Sequence, residues 1–232
     1  MYVVTGGAGF IGSNLVEGLN RSGENDILVV DEFSDVSQVQ NLAGCRIADY
    51  QDKEDFLMSI ERSGLPSTTS AVFHMGACSN TMAEDGRYVM KTNFDYSKKL
   101  LHACVDSSVP LIYASSAAVY GRGTSFTESE DHEYPLNAYA FSKQLFDSYV
   151  RKEVARISSQ VVALRYFNVY GPREAHKASM ASIVYQMFKQ YSKHGRLRLF
   201  RGTGGYGDGE QRRDFISVED IVSVNLFFLV NP

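Results

Sequence analysis

Short apolar runs alternate with longer amphipathic stretches along most of this chain. Between the runs, apolar residues recur every three or four positions, as in helices that bury one face. Runs rich in Val, Ile, Leu and Phe are typical of strands that helices cover on both faces. The pattern therefore predicts an α/β fold with a doubly wound parallel sheet. The predicted strands are 2–5, 27–31, 46–50, 70–75, 110–114 and 161–166, and the predicted helices are 11–22, 52–63, 82–107 and 137–157.

The alternation loosens after residue 168, which suggests a second region. We predict a first domain over 1–167 and, over 168–232, the start of a smaller lobe interleaved with the last strands of the first domain. The stretch RGTGGYGDG at 201–209 is too rich in glycine for a helix or a strand, so we expect a mobile loop there.

Composition narrows the class of protein. With 44% hydrophobic and 22% charged residues, the 232-residue chain can bury a full core. A net charge of -4 without any basic run argues against nucleic acid as a partner, and no apolar stretch is long enough for a membrane span. The first residues lead directly into a strand pattern, so no signal peptide is expected. Cys45, Cys78 and Cys104 are odd in number and lie in apolar surroundings. They predict reduced, half-buried thiols without a catalytic role in a soluble cytoplasmic protein.

The first loop of the chain carries three glycines in a regular spacing. Gly6, Gly9 and Gly12 follow the first predicted strand and open the first predicted helix. In that context they allow a tight turn, close approach of a pyrophosphate and close packing of helix on strand. Asp31 ends the second predicted strand, where a carboxylate can bind the hydroxyl groups of an adenosine ribose. We predict a dinucleotide site, and Asp31 by itself favours NAD over NADP.

A second motif predicts redox chemistry on a hydroxyl group. Tyr139 and Lys143 stand four residues apart on a predicted helix, so their side chains share one face. The lysine and a nicotinamide cation would both lower the pKa of the phenol, which could then take a hydroxyl proton. Ser116, at the end of a predicted strand, could bind the same hydroxyl. We expect no metal site.

The motifs TGGAGFIG, SSAAVYG, YAFSK, RYFNVYGPR and GDGEQRRDFI are similar to those of the extended short-chain dehydrogenase/reductase family. That resemblance implies a Rossmann-type fold, a nicotinamide cofactor and a nucleotide-sugar substrate. The segments NVYGPREAHKASMAS, CRIADYQDKEDF and HMGACSNT resemble, more narrowly, the branch of the family that inverts C6″ of an ADP-heptose through a transient ketone. This branch implies a role in the supply of heptose for lipopolysaccharide, a cytoplasmic homo-oligomer (a pentamer), and a second acid/base, Lys177.

The resemblance also implies the other contacts. Lys143 and Lys177 would touch the cofactor as well as act in catalysis. The implied cofactor contacts are Gly6, Gly9, Phe10, Ile11, Gly12, Asp31, Glu32, Lys53, Met75, Gly76, Ala77, Cys78, Ser79, Asn93, Lys143, Val169 and Lys177. The implied substrate contacts are Asn168, Ser179, Gln186, Phe200, Arg201, Gly202, Thr203 and Arg213.

The sequence departs from the family pattern in three places. Gln38 stands where the family tends to have a lysine for the 2′-phosphate of NADP, so NADP is favoured by resemblance while NAD stays open. Gln186 stands where a histidine is expected. The chain ends roughly 80 residues before a typical member would, so we expect an incomplete substrate lobe.

Three other functions compete. A UDP-hexose 4-epimerase would share the fold, the cofactor and the Ser-Tyr-Lys set. A 4,6-dehydratase needs a carboxyl acid/base pair where this chain has Ala117 and Ala118, which argues against it. A non-catalytic, redox-sensing nucleotide-binding module would not need Tyr139 and Lys143.

Overall fold

A six-stranded parallel sheet forms the centre of the computed structural model, which describes residues 1–33, 35–81 and 84–231. Its strand order is β3-β2-β1-β4-β5-β6, and β7 and β8 form a separate parallel pair. The predicted α/β fold with a doubly wound parallel sheet is thereby confirmed. The strands are β1 (Tyr2–Thr5), β2 (Ile27–Asp31), β3 (Asp49–Asp52), β4 (Ala71–His74), β5 (Leu111–Ser116), β6 (Val161–Tyr166), β7 (Asn168–Tyr170) and β8 (Phe215–Ser217).

The helices cover both faces of the sheet. The residues of β1, β2 and β4 are almost all buried, as continuous apolar strands predict. Packing against the helices on both faces of the sheet therefore holds these strands in place. The helices are α1 (Phe10–Arg21), α2 (Val39–Leu42), α3 (Lys53–Ser63), α4 (Gly86–Met90), α5 (Tyr96–Asp106), α6 (Ala138–Glu153), α7 (Ile183–His194) and α8 (Val218–Val230).

Two apolar clusters hold the layers together. On one face, Val30 and Leu111 pack with Phe56 of α3, Leu100 of α5 and Phe146 of α6. On the other face, the strand residues pack with α1, and α8 lies against the same cluster. A Cβ atom at Gly18 would lie 2.4 Å from a methyl of Val222, so α1 and α8 approach as closely as a glycine allows. Among the described residues, no helix is long and apolar enough to cross a membrane.

The third strand begins later than predicted. The expected strand 46–50 is wrong at both ends, since β3 covers Asp49–Asp52. The Asn20 side chain accepts the Arg46 N–H at 2.8 Å, which ties this residue to α1 outside the strand. Asp52 then ends the strand as the N-cap of α3, with its carboxylate on the Glu54 N–H at 2.8 Å. Side-chain bonds to the backbone, which hydropathy does not reveal, lie at both boundaries, and the one at Asp52 is a helix cap.

The predicted helix 82–107 consists of three parts. Residues 82 and 83 lie outside the described residues. The remainder is α4, a π-helical turn at Lys91–Asp95, and α5. A π-helical turn adds one residue to the repeat and changes the direction of a side chain. Here it contains the buried Asn93.

Regular structure resumes after residue 168 in elements that the sequence pattern did not predict. These are β7, α7, β8 and α8. A hydrogen bond closes the base of the glycine-rich loop, from the Gly209 N–H to the carbonyl of Phe200, the residue before the loop, at 2.8 Å. Its predicted mobility, and the predicted domain boundary at residue 168, stay predictions. α8 packs on α1, in the layer of the first domain.

Candidate active site

A cavity of about 1170 Å³ opens at the carboxyl ends of the parallel strands. Ligands of doubly wound sheets bind at this edge. The cavity brings together most of the residues that the sequence singled out. The predicted residues on its wall are Gly6, Gly9, Phe10, Ile11, Gly12, Asp31, Glu32, Lys53, Met75, Gly76, Ala77, Cys78, Ser79, Ser116, Tyr139, Lys143, Asn168, Val169, Lys177, Phe200, Arg201, Thr203 and Arg213.

The glycine loop joins β1 to α1 under one end of the cavity. Gly6 has a φ of +65°, and a Cβ atom there would lie 2.6 Å from the Gly76 backbone. A Cβ atom at Gly12 would lie 2.1 Å from the Gly6 carbonyl oxygen. Gly9 caps α1 without a side chain, so the first N–H groups of the helix have no partner within it. The loop is therefore suited to a phosphate group.

Carboxylates lie at the end of β2, next to this loop. Asp31 accepts the Ala8 N–H and the Glu32 N–H, each at 2.8 Å. Burial raises the pKa of Asp31, and the two backbone N–H groups oppose that rise. Glu32 forms an ion pair with Lys53, whose ammonium also lies 5.6 Å from the centre of the Tyr88 ring. Gln38 is buried, and its side chain accepts the Asp35 N–H at 3.1 Å.

Asn93 fixes the segment that follows β4, although it does not line the cavity. Its side chain accepts the Cys78 N–H at 2.7 Å and donates to the Cys78 carbonyl at 3.1 Å. It also donates to the Ser142 hydroxyl of α6 at 3.0 Å. Asn93 thereby holds Cys78 of the cavity wall in place, and its contact with the cofactor stays a prediction. Cys78 and Cys45 are half-buried, whereas Cys104 is fully buried, which corrects one of the three predicted exposures.

Ser116, Tyr139 and Lys143 all line the cavity. Ser116 ends β5, and Tyr139 lies in the first turn of α6, which the Asn137 side chain caps. Burial raises the pKa of Tyr139, and a hydrogen bond with Ser116 opposes that rise. Lys143 is buried, and burial lowers its pKa to about 8 against the opposing charge of Asp147. Within this chain alone, burial outweighs the Ser116 hydrogen bond, and the fall of the tyrosine pKa expected from the lysine and a nicotinamide cation together stays a prediction.

Lys177 reaches the cavity from a different element, the 3₁₀ turn at Ala175–Met180. Its ammonium lies 5.6 Å from the centre of the Phe10 ring, close to the glycine loop. Burial lowers the pKa of Lys177, and the Glu174 carboxylate opposes this change. A lysine with a lowered pKa is suited to proton transfer near neutral pH.

Three of the predicted substrate contacts lie off the cavity wall. Ser179 is exposed. Gln186 donates to the Ala178 carbonyl at 2.7 Å, and the Gly202 N–H is bound to the Asp208 carboxylate at 2.6 Å. Their roles in substrate binding stay predictions without a contact to the cavity.

Some cavity residues were not predicted. His176 lies beside Lys177 in the quoted segment, and its ring Nδ1 accepts a hydrogen bond from the Asn41 side-chain amide at 3.0 Å. Tyr166 and Phe167 precede Asn168 directly, so their position before a predicted site residue was the available signal. Tyr88 and Met187 carry no local signal, since only tertiary packing brings them to the wall. Within 1–33, 35–81 and 84–231, no group of three or more acidic, His or Cys side chains could hold a metal ion.

Comparison with known proteins shows the family to which the chain belongs. The model of the NAD dependent epimerase/dehydratase family matches residues 2–232. The chain belongs to this family. An ADP-L-glycero-D-manno-heptose-6-epimerase from Alkalilimnicola ehrlichii is 55% identical over 232 residues, which are 100% of this chain and 72% of that protein.

Solved structures of epimerases have the same fold. The ADP-L-glycero-D-manno-heptose-6-epimerase of Helicobacter pylori matches with a TM-score of 0.84 and 32% identity, over 98% of this chain and 72% of that one. The UDP-glucose 4-epimerase of Thermotoga maritima, solved with UDP-glucose, matches with a TM-score of 0.76 and 28% identity, over 97% and 72% of the two chains. As a member of the NAD dependent epimerase/dehydratase family, the chain uses a nicotinamide cofactor, and that prediction is confirmed.

Proposed function

We propose that this chain inverts C6″ of ADP-D-glycero-D-manno-heptose to give ADP-L-glycero-D-manno-heptose, for the lipopolysaccharide core. The observation that carries the proposal is one cavity in which Tyr139 and Lys177, from two separate elements, lie beside a dinucleotide-type glycine loop. Identity of 55% to the Alkalilimnicola protein, against 28% to the UDP-glucose enzyme, supports the heptose as the sugar.

The chemistry of the stereocentre requires a redox route. A carbon that bears hydrogen and hydroxyl, without a neighbouring carbonyl, has no acidic proton to remove. Oxidation to a ketone makes the carbon planar, and reduction from the other face inverts it. When bound, a nicotinamide cofactor supplies a reversible hydride acceptor for this purpose.

The protein would supply two proton-transfer groups. Tyr139, hydrogen-bonded with Ser116, would exchange a proton with the sugar oxygen in one orientation of the sugar. Lys177 would do so in the other orientation, because the ketone oxygen then faces a different wall of the cavity. Lys143 would orient the cofactor ribose and provide a positive charge near the phenol.

The residues around the glycine loop fit such a cofactor. A Cβ atom at Gly6 or Gly12 would clash with backbone, so the loop keeps backbone N–H groups close to the cavity. Arg201 and Arg213 also line the cavity, and both lie in the largely exposed segment 199–215. We assign them to the substrate diphosphate, since a guanidinium pairs well with phosphate oxygens.

The form of the cofactor that we propose is NADP. Both carboxylate oxygens of Asp31 accept backbone N–H groups of this chain, which reduces its capacity to bind ribose hydroxyls. Lys53 places an ammonium on the cavity wall that can exchange its Glu32 partner for a 2′-phosphate. Mass spectrometry of the cofactor released on denaturation tests this, and NAD as the dominant species would contradict it.

The function is tested by incubating the purified protein with each C6″ epimer of ADP-heptose, and with UDP-glucose as the alternative. We expect both heptose epimers to converge on one mixture, without added cofactor, because the hydride returns within one turnover. Conversion of UDP-glucose to UDP-galactose, with the heptoses unchanged, would favour the 4-epimerase instead.

The resemblance adds two proposals, a cytoplasmic location and assembly into a homo-oligomer, namely a pentamer. Exposed apolar side chains at Phe188 and Tyr191 of α7 are compatible with further packing in an assembly. Analytical ultracentrifugation measures the number of copies directly.

A further inference from the structure

The segment that carries Lys177 is tied at both ends by one buried carboxylate. Glu174 is 2% exposed and lies just before the 3₁₀ turn, and Ser182 lies just after it. The Glu174 carboxylate accepts the Ser182 N–H at 2.5 Å and the Ser182 hydroxyl at 2.9 Å. It also accepts the Gly171 N–H at 3.2 Å. These bonds close residues 174–182 into a loop with a fixed base.

The residue after Lys177 has a backbone conformation that side chains disfavour. Ala178 has φ 48° and ψ -114°. A non-glycine residue keeps such a conformation only where its surroundings impose it, and these sites cluster where function needs a fixed geometry. The Ala178 carbonyl accepts the Gln186 amide at 2.7 Å and the Ala181 N–H at 3.3 Å. Gln186 on α7 thus holds the carbonyl of the residue that follows Lys177.

We propose that Glu174 and Gln186 are positioning residues that hold Lys177 in its reactive orientation. The proposal rests on the acid/base role proposed for Lys177. It also gives Gln186 a role different from the substrate contact predicted from sequence, in agreement with its place off the cavity wall. Glu174 adds a negative charge near the lysine, which favours the protonated ammonium.

The first test is Gln186→Met, which keeps an unbranched side chain of similar length and removes the amide donor. Steady-state epimerisation of ADP-heptose by the full chain with its bound cofactor gives kcat and KM separately. We expect kcat to fall about a hundredfold with little change in KM, because a displaced acid/base group loses rate and not affinity. A raised KM with unchanged kcat would overturn the proposal and restore the substrate contact.

Gln190→Met is the matched control. Gln190 lies one turn further along α7, where its side chain accepts the Arg198 N–H at 2.5 Å, and it does not line the cavity. We expect wild-type kcat from it. A loss equal to that of Gln186→Met would show a general effect of α7 and would overturn the proposal.

The second test compares Glu174→Gln with Glu174→Asp. Glu174→Asp shortens the side chain, and Glu174→Gln weakens its hydrogen bonds to Ser182 and Gly171, so both should lower kcat. Only Glu174→Gln removes the negative charge. The plot of kcat against pH should contain one limb that is lost in Lys177→Met. That limb should move to lower pH in Glu174→Gln and stay in place in Glu174→Asp. If this limb does not move in Glu174→Gln, the Glu174 charge does not stabilise the protonated form of Lys177. If Glu174→Gln does not fold, the Gln186 test still decides.

Lys177→Met distinguishes failure of the proposed function from failure of the positioning role. If this variant epimerises normally, the proposed role of Lys177 fails and the positioning role fails with it. If Lys177→Met is inactive while Gln186→Met and Glu174→Gln match the wild type, the proposed function stands and only the positioning role is overturned.

Discussion

The ammonium group of Lys143 donates a hydrogen bond to the Ala114 carbonyl oxygen at 2.7 Å, between α6 and β5. The bond anchors the lysine on the strand that ends at Ser116, one helical turn from Tyr139. Burial lowers the pKa of Lys143 to about 8, and the Asp147 carboxylate limits the fall. The Lys143 cation is thus held by a carbonyl, and the charge of the buried Asp147 favours its protonated form.

The first prediction concerns the pH dependence that this lysine imposes. Because the cationic form is the useful one, wild-type kcat should fall as pH rises through about 8. Lys143→Met should lower kcat by about a hundredfold or more and lose that alkaline limb. Epimerisation rates measured between about pH 6 and pH 10 check both effects. Lys152→Met, exposed on the same helix, is the control and should keep the limb.

The second prediction concerns the phenol of Tyr139. Tyr139→Phe removes a proton-transfer group, so kcat should fall by about 10²–10⁴ while the thermal unfolding temperature changes little. Tyr149→Phe lies on the same helix and removes only a hydroxyl bound to the His102 ring at 2.8 Å, so it should keep the rate. Near-normal turnover of Tyr139→Phe with cofactor bound would mean that another group is the base.

Ser116 should act through the tyrosine. Its hydrogen bond lowers the pKa of Tyr139, so its removal raises that pKa. If the phenolate is the active form, the acid limb of kcat/KM in Ser116→Ala should move to higher pH. The rate at neutral pH should fall about a hundredfold, as on loss of a donor to a developing oxyanion. A lower rate with an unmoved acid limb would restrict Ser116 to substrate binding.

Much of this site follows from local spacing, which is why the sequence predicts it. The glycine loop at Gly6 and the pair of Tyr139 and Lys143 need only a strand-to-helix turn and one helical turn. The interval from Ser116 to α6 is longer, but the parallel sheet fixes where β5 ends. In all these cases regular secondary structure and the sheet that it forms determine the geometry.

The missed features depend on side chains from distant parts of the chain. Thr5 and His74 are bonded at 2.6 Å across 69 residues, because β1 and β4 pair in register. The resemblance assigned Gln186 to the substrate, at a position where a histidine is expected, yet its amide donates to the carbonyl of Ala178, whose backbone is strained. Hydropathy contains no information on such bonds.

His74 supports a prediction on stability. Ser97 donates to the Asn93 carbonyl at 2.7 Å, so it accepts from His74 Nε2, and Thr5 then donates to Nδ1. Burial lowers the pKa of this neutral ring to about 3. Between that value and about 6.5 the unfolded chain binds a proton that the folded chain does not. The free energy of unfolding should therefore decrease as pH falls through this window, by up to ~1.4 kcal/mol per pH unit.

Urea unfolding at a series of pH values measures this dependence. His74→Asn should be less stable than the wild type at pH 7 and should show a shallower decrease below about 6.5, since the titrating ring is gone. His194→Gln, exposed at the end of α7, should keep the wild-type slope. Equal slopes in His74→Asn and the wild type would assign the acid sensitivity to other groups.

The last prediction concerns the division of labour between Tyr139 and Lys177. The two groups come from α6 and from the 3₁₀ turn at Ala175–Met180, and both line the cavity. A ketone reduced from opposite faces directs its oxygen to different groups, so neither residue should replace the other. Lys177→Met should lower epimerisation by at least about a hundredfold and leave the dissociation constant of the nucleotide sugar nearly unchanged.

An ADP-sugar analogue with an aldehyde at the reacting carbon isolates single oxidation and reduction steps. We expect Lys177→Met to lose the step in one orientation only, and Tyr139→Phe to lose the step in the other. Lys193→Met, near the end of α7 and exposed, should match the wild type in both. If Lys177→Met performs both steps, or loses only affinity for the sugar nucleotide, Tyr139 serves both faces and Lys177 binds phosphate.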